Sequence, residues 1–193
     1  MKSDIILAGV GGQGILSIAT ILGAAALDGG LYLKQAEVHG MSQRGGDVQS
    51  NLRISSKPIA SDLIPLGGAD LIVSLEPMEA LRYLPYLSGN GWVVTNTTPF
   101  ENIPNYPEMD AIKGELDALG NVIAFDMDEV AKEVASPRSA NMVLLGACAP
   151  FIDGIEKEKI EEGIRKVFGR KGEAMVENNL KAFRAGWERA RKK

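Results

Sequence analysis

The chain has 193 residues, of which 45% are hydrophobic and 24% charged, and its formal net charge is −4. This length suits one domain with a substantial core, and the lack of a basic excess argues against nucleic acid as a partner. A single histidine and a single cysteine, Cys148, exclude an internal disulfide framework and argue against a metal or iron–sulfur centre ligated by this chain alone. We see no signal peptide and no apolar stretch of membrane-spanning length, so we expect a cytoplasmic protein without membrane contact.

The first thirty residues predict the start of a βαβ unit. Residues 4–10 form a short apolar run typical of a buried parallel strand, and Gly-Gly-Gln-Gly at 11–14 turns the chain. Residues 15–27 are rich in alanine and apolar throughout, which predicts a buried helix. The pair of glycines at 29 and 30 is a typical helix end.

Gly9, Gly11 and Gly14 have the spacing of a dinucleotide-binding fingerprint, and Glu37 follows at about the distance of a ribose contact, roughly twenty residues. Free amides at a helix N-terminus can accept a diphosphate. However, the strand predicted at 31–38 leads into a long loop, whereas a nucleotide-binding half returns through a helix. The alternative interpretation is a tight turn that allows close packing.

The segment His39–Gly46 is rich in side chains that could bind a ligand or take part in catalysis. It lies between strands predicted at 31–38 and 47–54, and alternation in the second strand indicates a half-exposed, antiparallel strand. A polar, glycine-rich loop between hydrophobic runs is a candidate site, and the alternative is a solvated hairpin connection.

Three side chains of this loop suggest specific roles. The guanidinium of Arg44, followed by two glycines, suits a carboxylate or phosphate, although it could instead cap a helix or pair with Glu37. His39 could pair with an anion or move a proton, or it could be structural. Met41 is apolar among polar neighbours, which suits contact with a partner, and self-association as a homodimer would cover it in the isolated chain.

The rest of the chain continues the alternation of strands and helices. Strands are predicted at 70–75, 91–96 and 121–125, with helices at 77–86, 109–119, 126–135 and 139–149 and an irregular loop at 97–107. Two amphipathic helices follow at 156–168 and 173–193. We therefore predict an α/β fold: a single three-layer α/β/α domain over residues 1–193, with a mixed, mainly parallel sheet in a core at 1–152 and a C-terminal helical extension at 153–193. Cys148 is expected to be a small buried residue.

Two stretches resemble a known family: Ala8-Gly-Val-Gly-Gly-Gln-Gly14, and Lys34-Gln-Ala-Glu-Val-His-Gly-Met-Ser-Gln-Arg-Gly-Gly46. They are similar to the gamma-type subunit of 2-oxoacid:ferredoxin oxidoreductases, and the Glu-Val-His-Gly-Met form is typical of the small (beta) subunit of the indolepyruvate branch. The segment from Arg138 to Ala147, which contains Asn141, also resembles this family.

The resemblance implies a subunit of an enzyme that decarboxylates a 2-oxoacid on thiamine diphosphate and forms an acyl-CoA from coenzyme A. Electrons pass through iron–sulfur clusters to ferredoxin. We find no Gly-Asp-Gly motif followed by asparagine for a thiamine diphosphate–magnesium site, so these cofactors are expected in a large (alpha) partner subunit. The alternative function is a free-standing nucleotide-binding protein that uses the glycine turn. The candidate residues are His39 and Arg44 for catalysis, Gly11, Gly12, Gln13 and Gly14 for cofactor contact, and Met41, Ser42, Gln43, Gly45, Gly46 and Asn141 for the partner or substrate.

Overall fold

The computed structural model describes residues 1–39, with only the backbone of His39, and residues 45–192. The described strands are β1 (Lys2–Val10), β2 (Tyr32–His39), β3 (Asp47–Ser55), β4 (Ala69–Ser74), β5 (Leu87–Asn96) and β6 (Val122–Phe125). The described α-helices are α1 (Ile15–Asp28), α2 (Pro77–Arg82), α3 (Met109–Asp117), α4 (Met127–Val134), α5 (Ala140–Cys148), α6 (Lys157–Phe168) and α7 (Glu173–Ala190).

The strands form one mixed sheet in the order β2-β3-β1-β4-β5-β6. Strands β1, β4, β5 and β6 are parallel, whereas β3 pairs antiparallel with both β1 and β2. In this register Val48 lies opposite Gly9 on one side and opposite His39 on the other. The prediction of a mixed, mainly parallel sheet is confirmed, and the two glycine-containing motifs begin at the same edge of it.

Helices cover both faces of the sheet, which confirms the three layers. One core lies between the sheet and the layer of α1, α4, α5, α6 and α7, and a second core lies beneath α2 and α3. Helix α7 packs against α5, and α6 packs against α1. The two C-terminal helices, α6 and α7, therefore belong to the same helical layer as α1, α4 and α5.

Strand β1 is joined to the C-terminal part of the chain at the amino edge of the sheet. The hydroxyl of Ser3, in β1, accepts a hydrogen bond of 2.9 Å from the backbone N–H of Asp153 and donates one of 3.2 Å to the Asp153 carbonyl. The first strand is thereby tied to the connection between α5 and α6.

The expectation that β3 is half-exposed is wrong, because its second half is buried on both faces. The connection from residue 56 to residue 68 lies over the polar side and uses its side chains. Asn51 Oδ1 accepts a hydrogen bond of 3.1 Å from the Ile64 N–H, and Arg53 Nη1 donates to the carbonyls of Ser61 and Leu63 at 3.1 and 3.0 Å. Alternation in sequence shows which side chains share a face, but a covering loop can bury either face.

Arg53 also forms a buried ion pair with Asp4 of β1. Its Nε and Nη2 atoms donate to the two carboxylate oxygens at 2.8 and 2.9 Å, and Lys2 Nζ lies 2.9 Å from Asp4 Oδ2. Burial raises the pKa of the Asp4 carboxyl, but the hydrogen bonds from Arg53 and Lys2 outweigh burial and hold the pKa below its usual value. The native state therefore favours the charged carboxylate.

We expect this ion pair to make the protein sensitive to acid. Because the pKa of Asp4 is lower in the folded state, its contribution is fully present above the unfolded pKa of about 3.9 and is lost as the pH falls through the folded pKa. Asp4→Asn should lower the free energy of unfolding at neutral pH and flatten its decline below about pH 4. Urea unfolding over a pH series measures both effects. An unchanged slope in the variant would show that other carboxyls cause the acid sensitivity.

Candidate functional site

The candidate site lies where the parallel strands end. After β1 the chain turns into α1 on one face of the sheet, whereas after the neighbouring β4 it turns into α2 on the opposite face. In open α/β sheets, adjacent connections that leave on opposite sides create a crevice at the carboxyl ends of the strands. The glycine turn at 11–14 forms one wall of this crevice.

The glycine turn has a conformation that requires glycine at two positions. Gly12 and Gly14 have φ angles of 104° and 80°, in the left-handed region. Among the residues that the structure describes, no acceptor faces the backbone N–H of Gly12 or Gly14. Both donors remain available to an anion at the N-terminus of α1.

Gln13, predicted as a cofactor contact, uses both ends of its side-chain amide within the fold. Its Oε1 accepts a hydrogen bond of 2.8 Å from the Val10 N–H, and its Nε2 donates to the Leu75 carbonyl at 3.3 Å. The side chain therefore ties the end of β1 to the end of β4. This arrangement assigns Gln13 to holding the turn, with its surface along the crevice.

The two sequence motifs meet at the base of the loop. The Gly11 N–H donates to the Gly46 carbonyl at 2.8 Å, and the Gly45 N–H donates to the Gly11 carbonyl at 3.4 Å. Asn102 Nδ2 donates to the Gly45 carbonyl at 2.8 Å. Gly40, Met41, Ser42, Gln43, Arg44 and the side chain of His39 lie outside the described residues. Their predicted roles therefore stay predictions, although the C-terminal end of the loop, at Gly45 and Gly46, lies beside the glycine turn.

Asn141, which only the family resemblance indicated, also reaches the glycine turn. Its Nδ2 donates to the Gly14 carbonyl at 3.3 Å from the first turn of α5. A Cβ atom on Gly14 would lie 2.6 Å from this nitrogen. The N-termini of α1 and α5 are thus held together by an asparagine and a glycine that leaves room for it.

The crevice is a cavity of about 380 Å³. Its wall combines backbone of the glycine turn with polar side chains from three later segments, and its lining residues are Gly12, Gln13, Leu75, Asn96, Asp128, Pro137, Arg138, Ala140 and Asn141. Asn96 Nδ2 donates to Asp128 Oδ2 at 2.7 Å, while Asn96 Oδ1 accepts from the Met127 N–H at 2.9 Å. No described residue accepts a hydrogen bond from the guanidinium of Arg138, which leaves this cation free for a ligand.

A buried polar network supports the described end of the loop. The Tyr83 hydroxyl donates to both carboxylate oxygens of Asp47, at 3.0 and 2.8 Å, directly after Gly46. Arg82 Nε donates to the buried Glu79 carboxylate at 2.7 Å. Burial raises the pKa of the Glu79 carboxyl, and the nearby Asp47 raises it further, although Arg82 opposes both. This network could not be predicted from the sequence, because its members lie on β3 and at α2 and its C-terminal end, which the sequence alone does not place together.

We expect Gly14→Ala to destabilise the protein more than Gly12→Ala. Both positions carry a left-handed φ, which costs a side chain on the order of 1–2 kcal/mol, and a Cβ atom on Gly12 would meet no other atom within 4 Å. At Gly14 the new methyl group would also displace Asn141, which adds about 1 kcal/mol. Chemical denaturation of the two variants measures the difference. Equal losses would show that Asn141 moves aside without effect.

Cys148 is a buried structural residue, as predicted. Its thiol donates to the Leu145 carbonyl at 3.3 Å, and burial raises its pKa to about 12. Within residues 1–39 and 45–192, no group of three histidine, cysteine, aspartate or glutamate side chains could hold a metal ion. Within the same ranges, no helix is both long and apolar enough to cross a bilayer.

These features define an α/β domain with a polar crevice at the carboxyl edge of its sheet, where both Arg138 and Asp128 line the wall. The sequence profile described as "Pyruvate ferredoxin/flavodoxin oxidoreductase" matches residues 4–189. The indolepyruvate oxidoreductase subunit IorB of Archaeoglobus fulgidus is 38% identical over 98% of this chain and 96% of its own length. The 2-oxoglutarate synthase subunit KorC of Methanocaldococcus jannaschii is 31% identical over 99% of this chain and 95% of its own length.

Solved structures share the fold along the whole chain. The gamma subunit of a keto/oxoacid ferredoxin oxidoreductase from Geobacter sulfurreducens superposes with a TM-score of 0.70 at 28% identity, over 99% of both chains. A 2-oxoglutarate:ferredoxin oxidoreductase from Magnetococcus marinus superposes with a TM-score of 0.77 at 25% identity. The latter match covers 100% of this chain but only 31% of that longer chain.

The chain therefore belongs to the pyruvate ferredoxin/flavodoxin oxidoreductase family. The resemblance found in the glycine motifs is confirmed. The alternative of a free-standing nucleotide-binding protein finds no support. Glu37 lies on β2, and β3 separates that strand from β1, whereas a ribose-binding carboxylate follows the strand next to the glycine turn.

Proposed function

We propose that this chain is the small subunit of an indolepyruvate:ferredoxin oxidoreductase, which oxidatively decarboxylates an aryl 2-oxoacid to an acyl-CoA. The observation that carries the proposal is the similarity to indolepyruvate oxidoreductase subunits. Relatives from Archaeoglobus fulgidus and Thermococcus kodakarensis are each 38% identical over nearly the full length of both chains. Relatives named for 2-oxoglutarate are 31% and 27% identical over similar lengths.

The cofactors that this reaction needs fit a partner better than they fit this chain. Thiamine diphosphate with magnesium supplies the decarboxylation chemistry, and iron–sulfur clusters carry electrons towards ferredoxin. Cluster ligation requires thiolates, whereas the single thiol here is buried and has a pKa raised to about 12. We assign these cofactors to the large subunit. The role that we assign to this chain is to position the substrates and to supply charged groups that contact them.

The crevice and the adjoining loop are the part of this chain that we propose to meet the substrates. The free amide of Gly12, which lines the crevice, and the guanidinium of Arg138 suit the phosphates of coenzyme A or the carboxylate of a 2-oxoacid. The family match to a structure described as holding 2-oxoglutarate, coenzyme A and succinyl-CoA supports ligands of this class. The loop side chains of His39, Ser42, Gln43 and Arg44 would complete the contact from the base formed by Gly11, Gly45 and Gly46.

The test is activity with and without the large subunit. We expect the isolated chain to be inactive when it is supplied with thiamine diphosphate, coenzyme A, magnesium and an electron acceptor. The complex purified with its large partner should reduce ferredoxin with indolepyruvate at a higher kcat/KM than with pyruvate or 2-oxoglutarate. Turnover by the isolated chain would contradict the assignment of cofactors, and a preference for 2-oxoglutarate would contradict the proposed substrate.

We also expect Met41→Asp to weaken assembly with the large subunit while leaving the thermal midpoint of the isolated chain nearly unchanged. A methionine in a polar loop suits an interface, and a carboxylate there would be desolvated on binding. Met175→Asp is the matched control, because Met175 is 44% exposed on α7, away from the loop. Affinity measured by titration of the large subunit separates the two variants. A large stability loss in Met41→Asp would instead place this side chain in the core.

A further inference from the structure

We propose that the outer edge of β2, with which no strand among the described residues pairs, pairs with β2 of a second copy of this chain, forming one sheet that runs through both copies. Strand β2 lies at the end of the sheet and pairs with β3 through all eight of its residues without a register shift. It contains no proline. The opposite edge strand, β6, has only four residues. Natural proteins protect edge strands by shortness, proline, bulges, charged side chains or cover. Strand β2 lacks the first three, and the charge of Lys34 in the strand is paired with Asp62.

Two large apolar side chains remain exposed on this strand. Tyr32 is 50% exposed and Val38 is 54% exposed, and both are on the face of the sheet that carries α2. Lys34 lies between them on the same face and forms an ion pair of 2.7 Å with Asp62. The two exposed apolar side chains thus lie near the two ends of the strand, and the charge of Lys34 between them is already paired with Asp62.

Twofold symmetry allows few registers for such a pair. Hydrogen-bonded and non-hydrogen-bonded positions alternate along an antiparallel pair, so one residue of each copy must face its own equivalent at the axis. An axis at Lys34 or at Glu37 would place like charges directly opposite each other, which is unfavourable. An axis at Ala36 would place Tyr32 beyond the end of the neighbouring strand.

An axis at Gln35 has neither defect. It places Tyr32 of each copy directly opposite Val38 of the other. The Tyr32–Val38 contact therefore forms twice in the dimer, and it covers both exposed apolar side chains of each copy. Aromatic and β-branched residues are favourable cross-strand partners. Lys34 then faces Ala36, and Leu33 faces Glu37, so no like charges are opposed. Because the residue pattern of β2 complements its own reverse, a second copy is the occupant that the strand itself specifies.

Disulfide trapping tests both the contact and its register. The natural Cys148 is buried, so it does not interfere with cysteines introduced at the surface. In the full chain, Gln35→Cys should form a disulfide-linked dimer under mild oxidation, since the two copies of this position face each other. Tyr32→Cys alone and Val38→Cys alone should stay monomeric on a denaturing gel, whereas an equimolar mixture of the two should cross-link.

Equal cross-linking of all the single variants would indicate random collision and overturn the proposal, as would a Gln35→Cys chain that stays monomeric. Sedimentation of chains without added cysteines gives an independent measurement. The wild-type chain should dimerise, and Val38→Lys should raise the dimer dissociation constant about tenfold, because symmetry places the change in the interface twice. Leu27→Lys is the control, since Leu27 is 62% exposed near the end of α1. A monomeric wild-type chain, or equal weakening by both lysine variants, would also overturn the proposal.

Discussion

Gly186→Ala is expected to lower the free energy of unfolding by about 3 kcal/mol, at the upper end of the usual range for overpacking. A Cβ atom on Gly186 of α7 would lie 2.0 Å from the Val143 carbonyl oxygen of α5. In the reverse direction, a Cβ atom on Gly146 of α5 would lie 1.9 Å from the Phe183 carbonyl oxygen of α7. Because these obstacles are backbone atoms, no side-chain rotation relieves them, and the two helices must separate.

Thermal unfolding measures this effect. For a chain of this size, about 3 kcal/mol corresponds to a fall of roughly 6–12 °C in Tm. Gly114→Ala in α3 is the matched control, because its Cβ would meet no atom within 4 Å. That change should be neutral or stabilising by up to about 1 kcal/mol, since alanine favours helices over glycine. Equal behaviour of the two variants would show that α5 and α7 are not in contact at this crossing.

Arg44→Ala is expected to reduce the kcat/KM of the complex roughly ten- to a hundredfold. This corresponds to the loss of about 1.5–3 kcal/mol, the range for hydrogen bonds to charged groups. Gly45 and Gly46, which follow Arg44, are held by the glycine turn and Asn102, so the chain leaves this loop at a fixed base beside the crevice. Arg44 precedes Asp47 by three residues in the sequence, and we predict that its guanidinium contacts a carboxylate or phosphate bound there.

Arg44→Lys distinguishes charge from geometry. If Arg44 binds an anion through both arms of its guanidinium, lysine should restore little activity, because it keeps the charge but loses the planar pair of donors. Arg170→Ala is the control for general loss of positive charge, since Arg170 is exposed between α6 and α7. Unchanged kcat/KM in Arg44→Ala, together with a lowered Tm, would mean that Arg44 supports the loop structurally.

The sequence was most informative where periodicity decides the structure. Apolar runs identified the parallel strands, and the two glycine motifs contain Gly11, Gly45 and Gly46, which the structure brings together by hydrogen bonds. Pairings between distant residues could not be predicted, because they depend on which strands become neighbours. Once β3 lies between β2 and β1, Arg53 meets Asp4 and Glu37 moves away from the glycine turn. Spacing along the chain had suggested the opposite for Glu37, since it assumes that the second strand lies next to the first.

The hydrogen bonds between Ser3 and Asp153 also bear on how the protein forms during translation. A ribosome releases the chain from its N-terminus, so β1 emerges long before Asp153, and α7, which packs against α5, emerges later still. Until then the apolar underside of the sheet lacks part of its cover. We expect the nascent chain to complete this helical layer only after α7 has left the ribosome.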